Sequence, residues 1–365
     1  MSIILFLLVL AVLVLVHEWG HFIVAKKTGM RVDEFGIGFP PKAYGIKKGE
    51  TEYTLNWLPI GGFVKIFGEN LEDAENLGED AKDISRSFAA RPKWAQALVL
   101  IAGVAMNVIF AWFLFVVTLM IGVPTAVDSA NASPEANLFI TNTLADSPAT
   151  DIPEGAVITA VSAGESTLDV LQPETFSSFV DEVSPAEIDI SYEYGEVADT
   201  VSVTPEQGLS SADPDKYIVG VSLALVEDKK ASLFEALVEA TKMTIDVLVG
   251  IVVGLSTLLG QSFSGTADYS QIAGPVGIVD MVGDAASFGL TALLTFTAII
   301  SLNLAVINLL PVPALDGGRL VFVAIEAVTG KHIPAMWAAR VNFVGFVLLM
   351  VLMVAVTYND IVRLL

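Results

Sequence analysis

Long apolar stretches alternate with polar segments along this chain, and the pattern predicts helices that cross a membrane. The apolar stretches cover residues 3–24, 95–122, 288–310 and 336–357. Each is long enough for a membrane-spanning helix, which needs ~20 residues to cross a hydrocarbon core of ~30 Å. We therefore expect an α-helical polytopic membrane protein in which these four stretches are the transmembrane helices.

The polar segments between the apolar stretches carry the alternation and the turn residues of β-structure. Residues 52–58 and 62–66 alternate as strands do, after a start rich in glycine and proline. Thr-, Val- and Ile-rich segments separated by Pro, Gly and Asp turns fill 127–226, with one helix expected near 174–183. We expect a membrane-associated β segment within 25–93 and a small α+β or β-barrel domain after the second span.

Composition excludes several classes of protein. Of the 365 residues, 54% are hydrophobic and only 16% are charged, whereas about a quarter of a soluble domain is charged. The chain has no cysteine, so it forms no disulfide and offers no thiolate to a substrate or a metal. The net charge of −22 disfavours nucleic acid as a partner, because phosphate contacts need clustered Lys and Arg.

The charge is also unevenly distributed, and the distribution predicts an orientation. Residues 25–93 hold eleven of the nineteen Lys and Arg, while 123–228 hold twenty Asp or Glu and one basic residue, Lys216. Basic residues beside a span favour the cytoplasmic side. We therefore expect the first helix to end in the cytoplasm and the acidic block to lie outside.

The sequence His17-Glu18-Trp19-Gly20-His21 on the first span predicts a metal site. Positions i and i+4 of a helix share a face, so two imidazoles there can bind one zinc while the glutamate reaches the water at an open position. Ionisable groups inside an apolar helix are costly and mark function. The alternative is a histidine pair at a helix end that faces the membrane interface, with Glu18 paired to a lysine.

A catalytic zinc needs a third protein ligand, and two residues are candidates. Asp316 follows the third span directly, and its alternative role is to cap a helix that begins near residue 319. His332 lies in a polar loop beside Lys331, a setting that favours a solvent-facing histidine.

The two motifs, in this order, resemble those of the site-2 protease family, the intramembrane zinc metalloproteases, and most of all its bacterial regulator-of-sigma-E branch. The likeness covers nearly the whole chain and includes the Asn-, Pro- and Gly-rich segment 301–318. The resemblance implies that His17, His21 and Asp316 hold Zn²⁺. It also implies that Glu18 is the general base of a zinc metalloendopeptidase.

The resemblance also implies a substrate, a single-span membrane protein such as an anti-sigma factor or a remnant signal peptide. In the family pattern, Asn308 and Pro311 hold the substrate backbone near the metal, and we add Asn303 of the same segment. The strands at 52–58 and 62–66 offer an edge to an unwound substrate segment; the alternative is a hairpin that seals the cytoplasmic mouth. On the first of these strands we expect contacts from Tyr53, Leu55 and Trp57.

The acidic block resembles one PDZ domain of the same family. The similar segments are Ala145 to Ala149 and Pro153 to Ile158, although Gly155-Ala156 stands where the family has Gly-Asp. We expect a PDZ-like domain that binds a peptide or protein or excludes bulky substrates. The alternative is a folded spacer without a ligand.

A shared metal restricts the topology. His17, His21 and Asp316 must lie at one membrane depth, so the span at 288–310 runs inward. Residues 231–286 then make no net crossing, and 237–259, although apolar, lie along the outer face or dip in and return. The expected segments are span 1–24, β segment 25–93, span 94–122, PDZ-like domain 123–228, outer helices 229–287, span 288–310, motif and loop 311–335 and span 336–365.

We therefore expect a multi-pass protein of the bacterial inner membrane, with its active site toward the cytoplasm and the PDZ-like domain outside. Lipid and single-span substrates are the expected partners. Two other functions remain open: a catalytically silent PDZ-bearing scaffold and a metal transporter. Glu18 separates them, because hydrolysis needs this carboxylate and metal binding by the other three residues does not.

Overall fold

The computed structural model describes residues 2–69, 84–145, 147–195, 197–209, 213–266 and 273–364. The chain forms two compact units, one of residues 1–117 and 233–365 and the other of residues 118–232. The helices are α1 (Ser2–Lys27), α2 (Lys93–Ile121), α3 (Pro173–Val183), α4 (Leu233–Ser264), α5 (Pro275–Ser287), α6 (Leu290–Leu309), α7 (Asp316–Thr329) and α8 (Ala335–Leu364). The strands are β1 (Val32–Lys48), β2 (Thr51–Ile66), β3 (Val123–Val127), β4 (Asn137–Thr143), β5 (Val157–Ala163), β6 (Ser166–Thr167), β7 (Ile188–Tyr194), β8 (Val197–Val203) and β9 (Val221–Lys229).

Five helices in the described part of the chain are long and apolar enough to cross a membrane: α1, α2, α4, α6 and α8. The protein is therefore a polytopic membrane protein, as the apolar stretches predicted. The count of five exceeds the expected four because α4 meets the same criteria of length and composition. Its apolar half is largely exposed, with Val249, Val253 and Phe263 uncovered by other helices.

The β segment is a hairpin of two long strands, β1 and β2. Both strands bend, so that one part of β1 pairs with two separate parts of β2. Phe35 pairs with both Tyr53 and Val64. The pairings give the order 42–48, 51–56, 34–39 and 62–66 across the sheet, in which the central pair 51–56 and 34–39 runs parallel and each outer pair runs antiparallel. Residues 51–56 therefore have a neighbour on both sides, while 62–66 form an edge within the described residues. Sequence alternation predicted both strands but did not reveal which of them is the edge.

The hairpin packs its base against the C-terminal part of α1 and exposes apolar side chains beyond it. Phe22 and Phe35 are buried in a cluster of rings with Trp19 and Tyr53. The side chain of Trp57 is 71% exposed. An apolar surface of this kind is typical of a contact with lipid or with another protein. Its exposed large side chains are Ile37, Phe39, Tyr44, Ile46, Leu55, Trp57 and Leu58.

The second unit is built on one antiparallel sheet with the strand order β3-β9-β4-β5-β7-β8, and β6 pairs with β5. The helix α3 lies at 173–183, where the sequence predicted one near 174–183. Phe176 and Val180 of α3 belong to a core that also contains Ile140, Ile158 and Ile190. This mixture of strands and one helix agrees with the small α+β domain that composition indicated.

Contacts at one end of the first unit hold α5 beside two long helices. The backbone N–H groups of Gly274 and Gly277 donate to the carboxylate of Asp360, near the end of α8. Gly283 lies against Ser2, the first residue of α1, so closely that a Cβ there would be 2.5 Å from the serine Oγ. The helix α5 therefore contacts both the first residue of α1 and the last turns of α8.

Candidate metal centre

Three side chains that are far apart in the sequence converge where α1 meets the start of α7. His17 Nε2 lies 3.0 Å from Asp316 Oδ2, and His21 Nε2 lies 3.2 Å from the same oxygen. The two Nε2 atoms are 3.1 Å apart. Both histidines are buried, and Asp316 is half-buried. One helical turn separates the histidines, as the sequence spacing predicted.

The donor set fits a zinc ion. Tetrahedral coordination at ~2.0–2.1 Å places neighbouring ligand atoms ~3.3–3.4 Å apart, and the three atoms lie 3.0–3.2 Å from one another. Two imidazoles and one carboxylate form a known type of catalytic zinc site that leaves a position for water. Among the described residues, this is the group of His, Asp and Glu side chains with suitable geometry for a metal.

The helix α2 packs against the two histidines, and its residues Gly103 and Val99 make room for the rings and orient one of them. A Cβ on Gly103 would lie 2.4 Å from His21 Nε2 and 2.8 Å from His17 Cε1, so only glycine leaves room for both rings. His21 Nδ1 lies 2.8 Å from the carbonyl oxygen of Val99. Since that oxygen can only accept, Nδ1 carries the proton and Nε2 presents its lone pair.

Asp316 is positioned by the close packing of two glycines that follow it. A Cβ at Gly317 would lie 2.2 Å from the carbonyl oxygen of Leu310, and one at Gly318 would lie 2.3 Å from that of Val312. The loop before α7 can therefore fold directly onto the first turn of that helix. Asp316 is the first residue of α7, and the N-cap is Leu315 without a side-chain cap, so Asp316 does not serve as the cap.

His332, the other candidate ligand, does not join the centre. Its side chain is 78% exposed, and its Nδ1 lies 3.7 Å from a carboxylate oxygen of Glu326. The preference for a solvent-facing histidine in this loop agrees with that position.

Glu18 lines a cavity of about 210 Å³ together with the three candidate ligand residues. The edge segment of β2 forms one wall through Phe63 and Val64. Glu69 and Arg319 close another side, and their ion pair has a separation of 2.5 Å between Glu69 Oε1 and Arg319 Nη1. The cavity thus combines a carboxylate, three candidate metal ligands and a strand edge.

A second cavity of about 730 Å³ shares Glu69 and Arg319 with the first. It extends between α2, α7 and α8 and contains the ion pair of Lys93 and Glu326, whose atoms are 2.5 Å apart. Burial favours the neutral form of Glu326, but hydrogen bonds from Lys93 and from the Ile333 amide outweigh it and lower the pKa of this carboxyl. Charged groups therefore line part of this second cavity, beside the first.

The other sequence-predicted site residues lie outside the lining of the 210 Å³ cavity. Asn303 donates to the carbonyl oxygen of Ile299 in its own helix at 3.0 Å. Asn308 is half-buried in the last turn of α6, and Pro311 is exposed in the following loop. The remaining three lie on the segment of β2 that is paired on both sides or just beyond it: Tyr53, Leu55 and Trp57.

Several residues at the centre were not recognised from the sequence as part of it. Arg319 stands three residues after Asp316 and hence on the same helix face, a spacing that could have indicated it. Gly103 and Asn107 lie on an apolar helix among other small residues, a pattern that equally indicates helix packing. Glu69 lies three residues after the end of β2 and carries no recognisable motif.

Comparison with known proteins gives a consistent result. The sequence profile of peptidase family M50 matches residues 5–352. A protein of Clostridium perfringens named as a zinc metalloprotease is 38% identical over 371 aligned residues, which cover 99% of each chain. The regulator of sigma-W protease of Bacillus subtilis is 30% identical over 437 aligned residues, which cover 100% of this chain and 99% of the relative.

Proposed function

The chain belongs to peptidase family M50, the site-2 proteases, and is a zinc metalloprotease; from this premise we propose that it hydrolyses a peptide bond of single-span membrane proteins. The observation that carries the proposal is the convergence of His17, His21 and Asp316 around a cavity that Glu18 also lines. A scaffold or a metal transporter would have no need of a glutamate at that position.

We assign Zn²⁺ to the two imidazoles and the carboxylate, and catalysis to Glu18. When bound, zinc supplies a Lewis acid that lowers the pKa of water and polarises a carbonyl. Glu18 accepts a proton from the attacking water and donates it to the leaving amine. The carbonyl of Val99 holds the ring of His21 in the orientation that keeps Nε2 toward the other ligands.

Water has to reach a site that lies among apolar helices. The 730 Å³ cavity, with its charged lining, supports a polar route that ends at the ion pair of Glu69 and Arg319. Lipid could supply neither water nor hydrogen bonds at this depth. The cavity therefore serves as the water supply of the 210 Å³ cavity.

The substrate must unwind before cleavage, because helical carbonyls are already hydrogen-bonded. The edge segment 62–66 of β2 forms a wall of the catalytic cavity, and it supports binding of an unwound segment as an added strand. In this proposal Tyr53, Leu55 and Trp57 contact the substrate beyond the cavity. Asn303, Asn308 and Pro311 act at its other side, along α6 and the following loop.

The relatives suggest the kind of substrate. The name of the Bacillus subtilis protein states that it regulates sigma-W, and we extend this to the present chain as cleavage of an anti-sigma factor or of a remnant signal peptide. Both are short single-span segments after an earlier trimming step outside the membrane. Such substrates fit an active site that is buried among helices.

We further propose four crossings in a bacterial cell membrane, with the site toward the cytoplasm. Trp112 Nε1 donates to Thr241 Oγ1 at 3.0 Å, so α4 starts beside the last turns of α2. The start of α5 is bonded to Asp360 near the end of α8, and Gly283 of α5 lies against Ser2 at the start of α1. The chain therefore returns to the side from which α4 set out, which supports a re-entrant or surface position for α4. The crossings are α1, α2, α6 and α8.

For the second unit we propose a PDZ-like role outside the membrane. A groove of about 190 Å³ runs between α3 and residues 217–223, with Phe176 and Val180 on one side. Residues 221–224 of β9 lie past the end of β3, so among the described residues they pair with β4 alone and leave their other edge open. The groove supports capture of an extended peptide, and the excess of acidic residues would disfavour acidic ligands.

The deciding experiment compares purified wild type with Glu18→Gln in detergent, and measures zinc content and cleavage of a single-span test substrate. We expect about one zinc ion per chain in both proteins and cleavage only by the wild type, because the amide of glutamine cannot accept the proton. Equal cleavage by the two proteins would refute the mechanism. Zinc in both without cleavage by the wild type, tested on several single-span substrates, would favour a scaffold or a transporter.

A further inference from the structure

Asn107 lies directly behind the metal centre and is fully buried. It stands on α2, one turn after Gly103, and its Nδ2 is 3.3 Å from Nδ1 of His17. The hydroxyl of Ser301 on α6 donates to the backbone oxygen of Asn107 at 2.8 Å. Two neighbouring helices, α2 and α6, therefore meet at Asn107 behind the metal centre.

The amide of Asn107 has one atom without a partner. Its Oδ1 is buried and makes no hydrogen bond within the described residues. Burying a polar atom without a partner is unfavourable, so such an atom calls for an explanation. The two ends of an amide have nearly the same shape, and a half-turn exchanges donor and acceptor.

The chemistry of a ligating histidine requires an acceptor where Asn107 stands. A metal at Nε2 uses the lone pair of that nitrogen, so the neutral ring carries its proton on Nδ1 and donates it to a neighbour. For His21 this neighbour is the carbonyl oxygen of Val99. For His17, the side-chain amide of Asn107 occupies the equivalent place.

The present orientation of the amide suits the other tautomer. With Nδ2 toward His17, the ring carries its proton on Nε2 and donates it to Asp316 Oδ2 at 3.0 Å. That tautomer offers no lone pair at Nε2. A half-turn of the amide presents Oδ1 to Nδ1, and the ring can then ligate.

We propose that Asn107 is a positioning residue for zinc, whose Oδ1 accepts the Nδ1 proton of His17 and so selects the ligating tautomer. The inference rests on the proposed function, because it takes His17 as a zinc ligand. Together, Val99 and Asn107 give α2 one acceptor for each histidine, so this helix controls both rings without touching the metal.

The test measures zinc affinity by competition with a chelator, in detergent-purified full chain, for Asn107→Leu, Asn107→Asp and the control Ser301→Ala. Loss of an outer partner of a metal ligand typically costs 10–100-fold in affinity. We expect a loss of about 10–100-fold for Asn107→Leu. Asn107→Asp should retain the wild-type affinity, since both of its oxygens accept. Ser301→Ala removes a buried hydrogen bond on the same helix pair and should also retain it.

A second measurement applies if Asn107→Leu fails to fold. The chain has only three histidines, so ¹⁵N spectra of the imidazoles are simple, and His332→Gln identifies the exposed ring. We expect zinc-loaded wild type and Asn107→Asp to show His17 protonated at Nδ1. Unchanged zinc affinity in folded Asn107→Leu, or His17 protonated at Nε2 in the loaded protein, would overturn the proposal. Absence of zinc from the wild type itself would instead overturn the proposed function.

Discussion

Gly103 shows how tightly single residues determine the metal centre. Its missing side chain is the space that the two imidazoles occupy, since an added Cβ would lie 2.4 Å from His21 and 2.8 Å from His17. Overpacking of this kind costs about 1–3 kcal/mol. The glycine thus belongs to the site although it makes no bond to it.

We predict that Gly103→Ala weakens zinc binding or lowers the free energy of unfolding by about 1–3 kcal/mol, because the rings must move to accommodate the methyl group. Chelator competition and thermal unfolding of the same preparation measure the two effects. Gly250→Ala is the matched control, since an added Cβ on that α4 residue meets no atom within 4 Å. The control should be neutral or stabilising. Equal behaviour of the two variants would contradict this view of Gly103.

At the residue scale, sequence reasoning pointed to His17, Glu18 and His21 but not to the groups of α2 that face the two imidazoles. His17, Glu18 and His21 were recognisable because helical spacing alone places them together. Asn107 and Val99 were not, because a backbone carbonyl has no sequence signature and an asparagine on a small-residue helix face equally indicates packing. Their roles depend on which helix lies opposite.

At the element scale, the β1–β2 hairpin is tied to the end of α1 by Glu50. This carboxylate binds Lys26 Nζ at 2.5 Å and Arg86 Nη1 at 2.8 Å. Hydrogen bonds from Arg86, opposed by partial burial and reinforced by Lys26, lower the pKa of Glu50 to about 2. The clamp holds the turn of the hairpin while the opposite end of the sheet carries the exposed apolar surface.

We predict that acid loosens this hairpin. A pKa depressed by folding contributes stability that is present above the ordinary value near 4.5 and is lost as the pH falls toward about 2. The contribution should be on the order of 1 kcal/mol, as the partners are partly exposed. Hydrogen exchange of residues 42–56 between pH 6 and pH 3 measures it, after correction for the intrinsic exchange rate.

Two variants make the hairpin prediction specific. Glu50→Gln should show faster exchange at pH 6 and little further change on acidification. Glu52→Gln, which removes an ion pair with Lys42 inside the hairpin, should keep the wild-type pH dependence. If hydrogen exchange changes equally between pH 6 and pH 3 in the wild type and in both variants, Glu50 does not tie the hairpin to α1.

At the scale of the whole molecule, the position of α4 decides between four and five crossings. Length and composition allow five, whereas the contacts of α5 with Ser2 and Asp360 support a return to the starting side. If α4 does not cross, α6 runs toward the cytoplasm; if α4 crosses, α6 runs away from it. Only the inward direction lets the chain reach Asp316 at the depth of the histidines.

We predict that cysteine labelling will show four crossings. The chain has no cysteine of its own, so single cysteines can be introduced one at a time as reporters. In intact cells, a membrane-impermeant thiol reagent should label Lys230→Cys and Asp280→Cys. It should label Lys48→Cys and Lys331→Cys only after permeabilisation. The unsubstituted chain is the blank. Protection of Asp280→Cys in intact cells, with labelling of Lys230→Cys, would mean that α4 crosses.

The sequence by itself determined the long apolar helices, the strands at 52–58 and 62–66 and the spacing that places His17 and His21 on one face of α1, because these follow from local periodicity. It also pointed to Asp316 through a motif. Only the tertiary structure decided which strand is an edge, which carbonyl and amide face the histidines, and how Glu69 meets Arg319. Such pairings join residues far apart in the chain, and no local spacing encodes the helix or strand that packs opposite.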